Sequence, residues 1–209
     1  MLEFRKKGVS MKSKHQLRSE KTYQAFIDAI MEQIMQGDLE HFTIRSLCSR
    51  LGLSPRTFYL YFENKEHAIL QCYQRHENAL LKEILQSLSN IQDPMEKVLQ
   101  IFDTKIKVSL QMISLGRELY VCALHYYDPY LFSEEIPLYK YVKQALEECL
   151  EKKVCTFDMD VPDLTWELID FSRGIVFDYY LRQESYDLRK ISSQRMRRYF
   201  LSFCNINKQ

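Results

Sequence analysis

The stretch Thr43 to Glu66, TIRSLCSRLGLSPRTFYLYFENKE, constrains the fold of this chain more than any other. It holds two short helices around a turn, each with its own start signal. Thr43 is placed to cap the first, and Phe42 and Leu47 have the spacing of a hydrophobic staple around it. Ile44, Leu47, Cys48 and Leu51 fall on one helical face. Gly52 stops that helix, because a residue without Cβ enters the left-handed region freely. Ser54 caps the second helix, Pro55 takes its first position, and Leu53 with Phe58 repeats the staple. Asn64 caps a further helix directly afterwards. A helix-turn-helix this tight usually sets its second helix in the major groove of DNA.

The rest of the chain fits a helical protein. Of 209 residues, 46% are apolar and 27% charged, the balance of a folded globular chain. Gly and Pro number five each, and no alternating apolar/polar run bounded by turn signals stands out, so an all-α fold is expected. The net charge of +1 says little until it is divided. Residues 1–65 carry 11 Lys and Arg against 7 Asp and Glu, which leaves 18 against 21 for the remainder. The basic excess therefore sits with the helix-turn-helix, where neutralised phosphates would release counterions.

Met1 to Glu20 is charged and lacks the apolar segment of a signal peptide, and no apolar run is long enough to span a membrane; a cytoplasmic protein is expected. Cysteines 48, 72, 122, 149, 155 and 204 form no CxxC pair. They read as buried, reduced thiols, with a thiol redox sensor as the alternative. His15, His41, His67, His76 and His125 are scattered with no metal-binding spacing, and no nucleophile–base set or phosphate-cradling glycine loop stands out. Neither catalysis nor a cofactor is expected.

About nine helices are expected. Residues 1–19 form a basic arm, either a source of phosphate or minor-groove contacts or a frayed terminus, and Met11 is an alternative start. Helix 1 spans about Glu20 to Gln36, with Tyr23, Phe26, Ile27, Ile30, Ile34 and Met35 in a stripe, and ends at Gly37-Asp38. It completes a three-helix unit over residues 20–66. In that unit Arg45 and Arg50 lie off the apolar face and can reach phosphates or base edges, and Arg56 and Thr57 stand near the start of the reading helix, Pro55 to Tyr61. A guanidinium at Arg56 can pair with O6 and N7 of guanine.

Beyond it, residues 67–209 form a helical body. A helix from Lys65 to about Leu88, about 36 Å long, links the two parts. Asp93-Pro94-Met95-Glu96 opens the next, to about Ser114. Others cover about Gly116 to Tyr127, Glu135 to Lys153, Asp163 to Glu184 and Asp187 to Asn205, with a loop over Asp158 to Pro162. Gly174, inside an otherwise good helix, suggests a close helix crossing.

The pattern also resembles a known family. Gly52-Leu53-Ser54, Thr57-Phe58-Tyr59-Leu60-Tyr61-Phe62 and Asn64-Lys65-Glu66 are similar to the DNA-binding signature of TetR-type bacterial transcriptional regulators. The resemblance is dense from about Thr22 to Leu70, and departs at Leu60, where a polar or histidine side chain is common. It implies DNA contacts from Thr43, Arg45, Ser54, Arg56, Thr57, Tyr59, Tyr61 and Lys65, with backbone contacts from the two tyrosines and a phosphate beside Lys65. It also implies a homodimer on a palindromic operator, more often a repressor than an activator. A looser likeness, in Ser172-Arg173-Gly174-Ile175-Val176-Phe177 and Tyr186-Asp187-Leu188, suggests dimerisation through the last two helices, with Leu168, Phe171, Ile175, Tyr179, Met196, Tyr199 and Phe200 as candidates for the interface or else for the internal core.

The helical body is rich in aromatic residues. Phe102, Met112, Tyr120, Tyr126, Trp166 and Phe177 are candidates to line an apolar pocket, with Arg117, Glu118 and His125 as polar determinants, or else to fill a core. The resemblance implies a small-molecule effector in such a pocket, one that lowers DNA affinity. The alternative is the same fold acting through a protein partner, as a co-activator or DNA-bound assembly factor, without a small-molecule ligand.

Overall fold

A computed structural model describes residues 13–36, 42–111 and 113–206. The helix stop at Gly37-Asp38, Met112 and most of the basic arm lie outside the described residues. Nine α-helices are present among those described: α1 Lys14–Met35, α2 Ile44–Leu51, α3 Pro55–Phe58, α4 Lys65–Ser87, α5 Pro94–Gln111, α6 Ile113–His125, α7 Pro137–Glu151, α8 Val161–Leu181 and α9 Leu188–Ser202. Two strands, β1 Cys155–Phe157 and β2 Cys204–Ile206, pair antiparallel, with Thr156 opposite Asn205. The chain divides into two compact units, Met1–Ala68 and Ile69–Gln209.

Helix α1 begins at Lys14, six residues before the expected start at Glu20. Ser13 accepts from the Gln16 backbone while the Gln16 side chain returns to the Ser13 N–H, a reciprocal cap that starts the helix at Lys14. Most of the supposed arm between Ser13 and Ser19 is therefore helix. The signal, Ser-x-x-Gln, is in the sequence, but the stripe draws the eye past it.

Phe26, Ile27, Ile30 and Ile34 on α1 are buried, as are Phe42, Leu47 and Cys48 around α2 and Phe58 and Phe62 around α3. Four aromatic rings knit this core. Phe58 stands edge-on to Phe26 with centroids 5.6 Å apart and lies 5.0 Å from Phe62, while Tyr23 stacks on Phe62 at 5.6 Å.

Gly52 adopts φ 66°, and its N–H reaches back to the carbonyls of Cys48 and Ser49. A Cβ there would meet nothing within 4 Å, so the backbone angle alone demands glycine. Gly52→Ala is expected to cost about 1–2 kcal/mol, read as a lower urea midpoint with an unchanged slope.

In the second unit α5 is central, packing against α6, α7 and α9, while α8 packs against α7 and α9. Val98, Ile101, Phe102 and Ile106 of α5 meet Tyr139, Val142 and Leu146 of α7 and Leu164, Leu168 and Ile175 of α8 in one buried cluster. Ion pairs trim its edges: Lys97 with Glu148, Arg189 with Asp103 at 3.2 Å and Arg197 with Glu96 at 2.9 Å. The two-residue break at Asp128-Pro129 opens a short 3-10 turn over Pro129–Phe132, capped by the Asp128 carboxylate.

The β-ribbon was not expected. Three-residue strands are too short to show alternation. It brings the thiols of Cys149 and Cys204 beside that of Cys155, and the Cys204 thiol donates to the Phe200 carbonyl at 3.3 Å. All six cysteines are free thiols. Burial pushes the Cys204 thiol up to about 12, and raises Cys149 and Cys155 as well. These groups stay protonated at neutral pH and are poor nucleophiles.

Candidate nucleic-acid interface and ligand cavity

The turn of the helix-turn-helix is held from inside and left open outside. The Thr43 hydroxyl accepts from the Ser46 N–H at 3.1 Å, starting α2, and Ser54 accepts from the Thr57 N–H at 3.2 Å, starting α3. The Asn64 side chain accepts from the His67 N–H at 2.7 Å, starting α4. These three caps set the angles at which α2, α3 and α4 enter and leave the turn.

Helix α3 is shorter than the seven residues expected. Regular helix stops at Phe58, and looser bonds, such as Tyr61 N–H to the Phe58 carbonyl at 2.9 Å, carry the chain on to Phe62. Within this segment the division of labour is sharp. Phe58 and Phe62 are 0% and 1% exposed, whereas Tyr59 is 57% and Leu60 75% exposed. Arg56 is exposed as well, and so are Thr43, Arg45 and Ser54. The Ser54 and Thr57 hydroxyls lie 3.0 Å apart and bond to each other, so exposed Ser54 combines capping with a link to Thr57.

Two residues are placed differently from the sequence reading. The Tyr61 ring sits among Tyr23, Phe26 and Phe62, and its hydroxyl shares a hydrogen bond with Ser19 at 3.1 Å, so Tyr61 ties the segment to α1. Arg50 donates to the Ala29 carbonyl at 2.6 Å and pairs with Glu32 at 3.5 Å, which makes it a brace between α2 and α1. Lys65, half-buried at the start of α4, holds its ammonium 5.1 Å from the centre of the Phe42 ring.

Residues 26–71 match the family model described as bacterial regulatory proteins, tetR family. Over those residues the chain is similar to the DNA-binding domain of the TetR family. The solved structures that resemble it agree in fold. The FadR repressor of Thermus thermophilus in complex with lauroyl-CoA is 19% identical, with a TM-score of 0.72 over 86% of this chain and 93% of that one. RolR in complex with resorcinol is also 19% identical, with a TM-score of 0.69 over 91% of each chain. FadR of Bacillus subtilis in complex with stearoyl-CoA is 16% identical, with a TM-score of 0.54 over 84% of this chain and 96% of that one. No protein of curated function matches in sequence. The match to the family model is confined to residues 26–71, whereas the shared fold extends through the helical body.

That body holds a cavity of about 300 Å³ lined from α4, α5, α6, the Pro129–Phe132 turn and α8. Of the pocket candidates, Tyr120 and Phe177 line it, with ring centroids 5.4 Å apart. Phe102 is buried in the core, and Trp166 packs on Tyr139 at 5.1 Å. Tyr126 is half-buried and outside the lining.

The expected polar determinants are also elsewhere: Arg117 is exposed and pairs with Glu184, His125 is exposed, and Glu118 does not line the cavity. The polar groups that do line it are Tyr73, Gln74, Glu77, Asn78, Lys105 and Arg173. Burial and the neighbouring Glu77 push the Tyr73 hydroxyl well above its ordinary value. Gln74 donates to Asp128 at 2.6 Å and Asn78 to the Tyr130 hydroxyl at 2.7 Å, fixing the 3-10 turn against α4.

The interface candidates split. Leu168, Ile175, Tyr179, Met196 and Phe200 are buried within a single chain and are core. Phe171 and Tyr199 are half-buried and stack at 3.9 Å, facing outward beside Arg195 and Arg198. Gly174 makes no close crossing within the chain, since a Cβ there would meet nothing within 4 Å. The close approach is at Gly116 instead, where a Cβ would lie 2.2 Å from the Tyr180 hydroxyl.

Proposed function

We propose that the protein is a cytoplasmic repressor that binds a palindromic operator as a homodimer and is released by a small-molecule effector. The observation that carries the DNA part is the placing of Arg56, Tyr59 and Leu60 on the outside of a turn whose other face is locked by Phe58 and Phe62. Arg56 reads a guanine, Thr43, Arg45, Ser54, Thr57 and Tyr59 meet the backbone, and Lys65 meets a phosphate beside the start of α4. Leu60 suits the methyl group of thymine, the apolar feature of the major groove. Leu60→Ala is expected to lower affinity for one half-site base pair without changing the salt dependence, which a binding titration across single-base variants of the operator checks.

The homodimer is supported by an exposed stripe on α8. Gly174 and Leu181 stand outside the fold, with Phe171 and Phe177 partly exposed beside them. A solvent-facing glycine inside a helix costs about 1 kcal/mol against alanine, and nothing among the described residues requires it. A second copy crossing closely at Gly174 supplies the reason. Gly174→Leu is expected to shift the protein from dimer to monomer in sedimentation and to weaken operator binding with it. A stable dimer in that variant would remove α8 from the interface.

The cavity serves as the effector site. The chain passes from one unit to the other within α4, and Tyr73, Gln74 and Glu77 of that helix line the cavity. An effector that prefers one arrangement of these residues shifts the population away from the DNA-binding state. Recovery of operator fragments from a genomic library, followed by their release with candidate small molecules, tests the reading as a whole.

A further inference from the structure

We infer that the cavity takes a small amphipathic carboxylate, its anionic end on Lys105 and its apolar body against Leu81, Leu119, Ile136 and Phe177. This rests on the reading of the cavity as the effector site, and names the chemistry it selects.

Lys105 is the reason. It lies among Ile101, Phe102, Ile106 and Val108, the buried residues of α5, and its side chain is 9% exposed. An ammonium so placed has given up most of its hydration, a loss that only close ionic and hydrogen-bonded partners offset. The carboxylate it faces, Glu77, is 3.7 Å away, beyond the roughly 2.7–2.9 Å of a charge-assisted hydrogen bond. Glu77 is also shared, because the Tyr73 hydroxyl bonds to it. A lysine carries three donors. One long pairing with a shared carboxylate leaves this ammonium undercompensated where it lines the cavity.

The other cation of the lining is already committed. Arg173 donates to the Leu131 carbonyl at 2.6 Å, pairs with Asp170 at 3.2 Å, and lies over the Phe132 and Trp166 rings. Arg173 closes the rim, and among the described residues of the lining Lys105 is the cation left to meet a ligand. A neutral guest leaves the imbalance in place, and a cationic guest would compete with Lys105 for Glu77. A carboxylate on Lys105 resolves it. The volume of about 300 Å³ is at the small end of ligand sites, which restricts the apolar body to a small one.

Octanoate, 1-octanol and octylamine share one apolar body and differ in charge, so they test the assignment on the intact protein at pH 7. Dissociation constants from intrinsic fluorescence or calorimetry are expected to favour octanoate over octanol by about tenfold or more, with octylamine weakest. Lys105→Met is expected to erase that preference while octanol binding is kept. Octanol or octylamine binding as tightly as octanoate overturns the inference, and so does an unchanged preference in Lys105→Met or no binding of any of the three. The comparison on the unaltered protein stands even if the variant fails to fold. Lys105-dependent octanoate binding that leaves operator binding untouched supports the ligand chemistry and removes the effector reading instead.

Discussion

Phe58→Ala is expected to abolish DNA binding by unfolding the reading unit, although residue 58 would never touch DNA. The ring is fully buried and meets Phe26, Tyr59 and Phe62 at 5.0–5.6 Å. Removing such a ring costs about 3–5 kcal/mol in transfer and cavity terms, a large part of the roughly 5–15 kcal/mol that holds a domain together. The core of the second unit does not include Phe58, so its cooperative unfolding transition is expected to persist. Far-UV circular dichroism through a urea titration separates the two. Tyr59→Ala provides the contrast. Its side chain is 57% exposed, so stability should change by about 0.5 kcal/mol or less, while operator affinity falls.

Arg56→Ala should have the opposite signature, an intact fold with altered reading. The residue is exposed at the start of α3, downstream of the Ser54 cap. A bidentate arginine–guanine contact discriminates by about 1–3 kcal/mol, so the variant should lose that much for its preferred base pair and little for the others. Lys65→Ala should instead weaken all sequences alike and reduce the salt slope by about one. Competition binding against a set of single-base operator variants at two salt concentrations tells the two apart. Uniform loss in Arg56→Ala would move that residue from base reading to backbone positioning.

Much of the reading unit is legible in its residues because its signals are local. Thr43, Gly52, Ser54 and Asn64 act within four positions of themselves, so capping and turn chemistry can be read directly. Tyr61 and Arg50 are different. Their partners, Ser19 on one side and Ala29 and Glu32 on the other, lie 18 to 42 residues away, and no local pattern announces such pairings.

The body is less legible for the same reason. Aromatic content pointed to a pocket, yet hydrophobicity cannot tell a lining ring such as Tyr120 from a core ring such as Phe102. The candidates on α8 and α9 divide for the same reason, since Leu168 and Phe200 satisfy a helical stripe by facing their own core while Phe171 and Tyr199 face outward. One usable signal was passed over: Lys105 interrupts the apolar run of Ile101, Phe102, Ile106 and Val108, and a lysine in such a stripe marks a buried charge. Leu60, unexplained by any core role, is now a 75% exposed leucine on the reading face.

The most direct test of the central claim is a titration of the purified protein against the DNA upstream of its own gene, with an unrelated duplex of equal length as competitor, over a range of salt. The expected result is a preference for the upstream DNA, with log affinity falling linearly against log salt, lost in Phe58→Ala and relaxed at one base pair in Arg56→Ala. Equal affinity for both duplexes, or no binding at low salt, would contradict it.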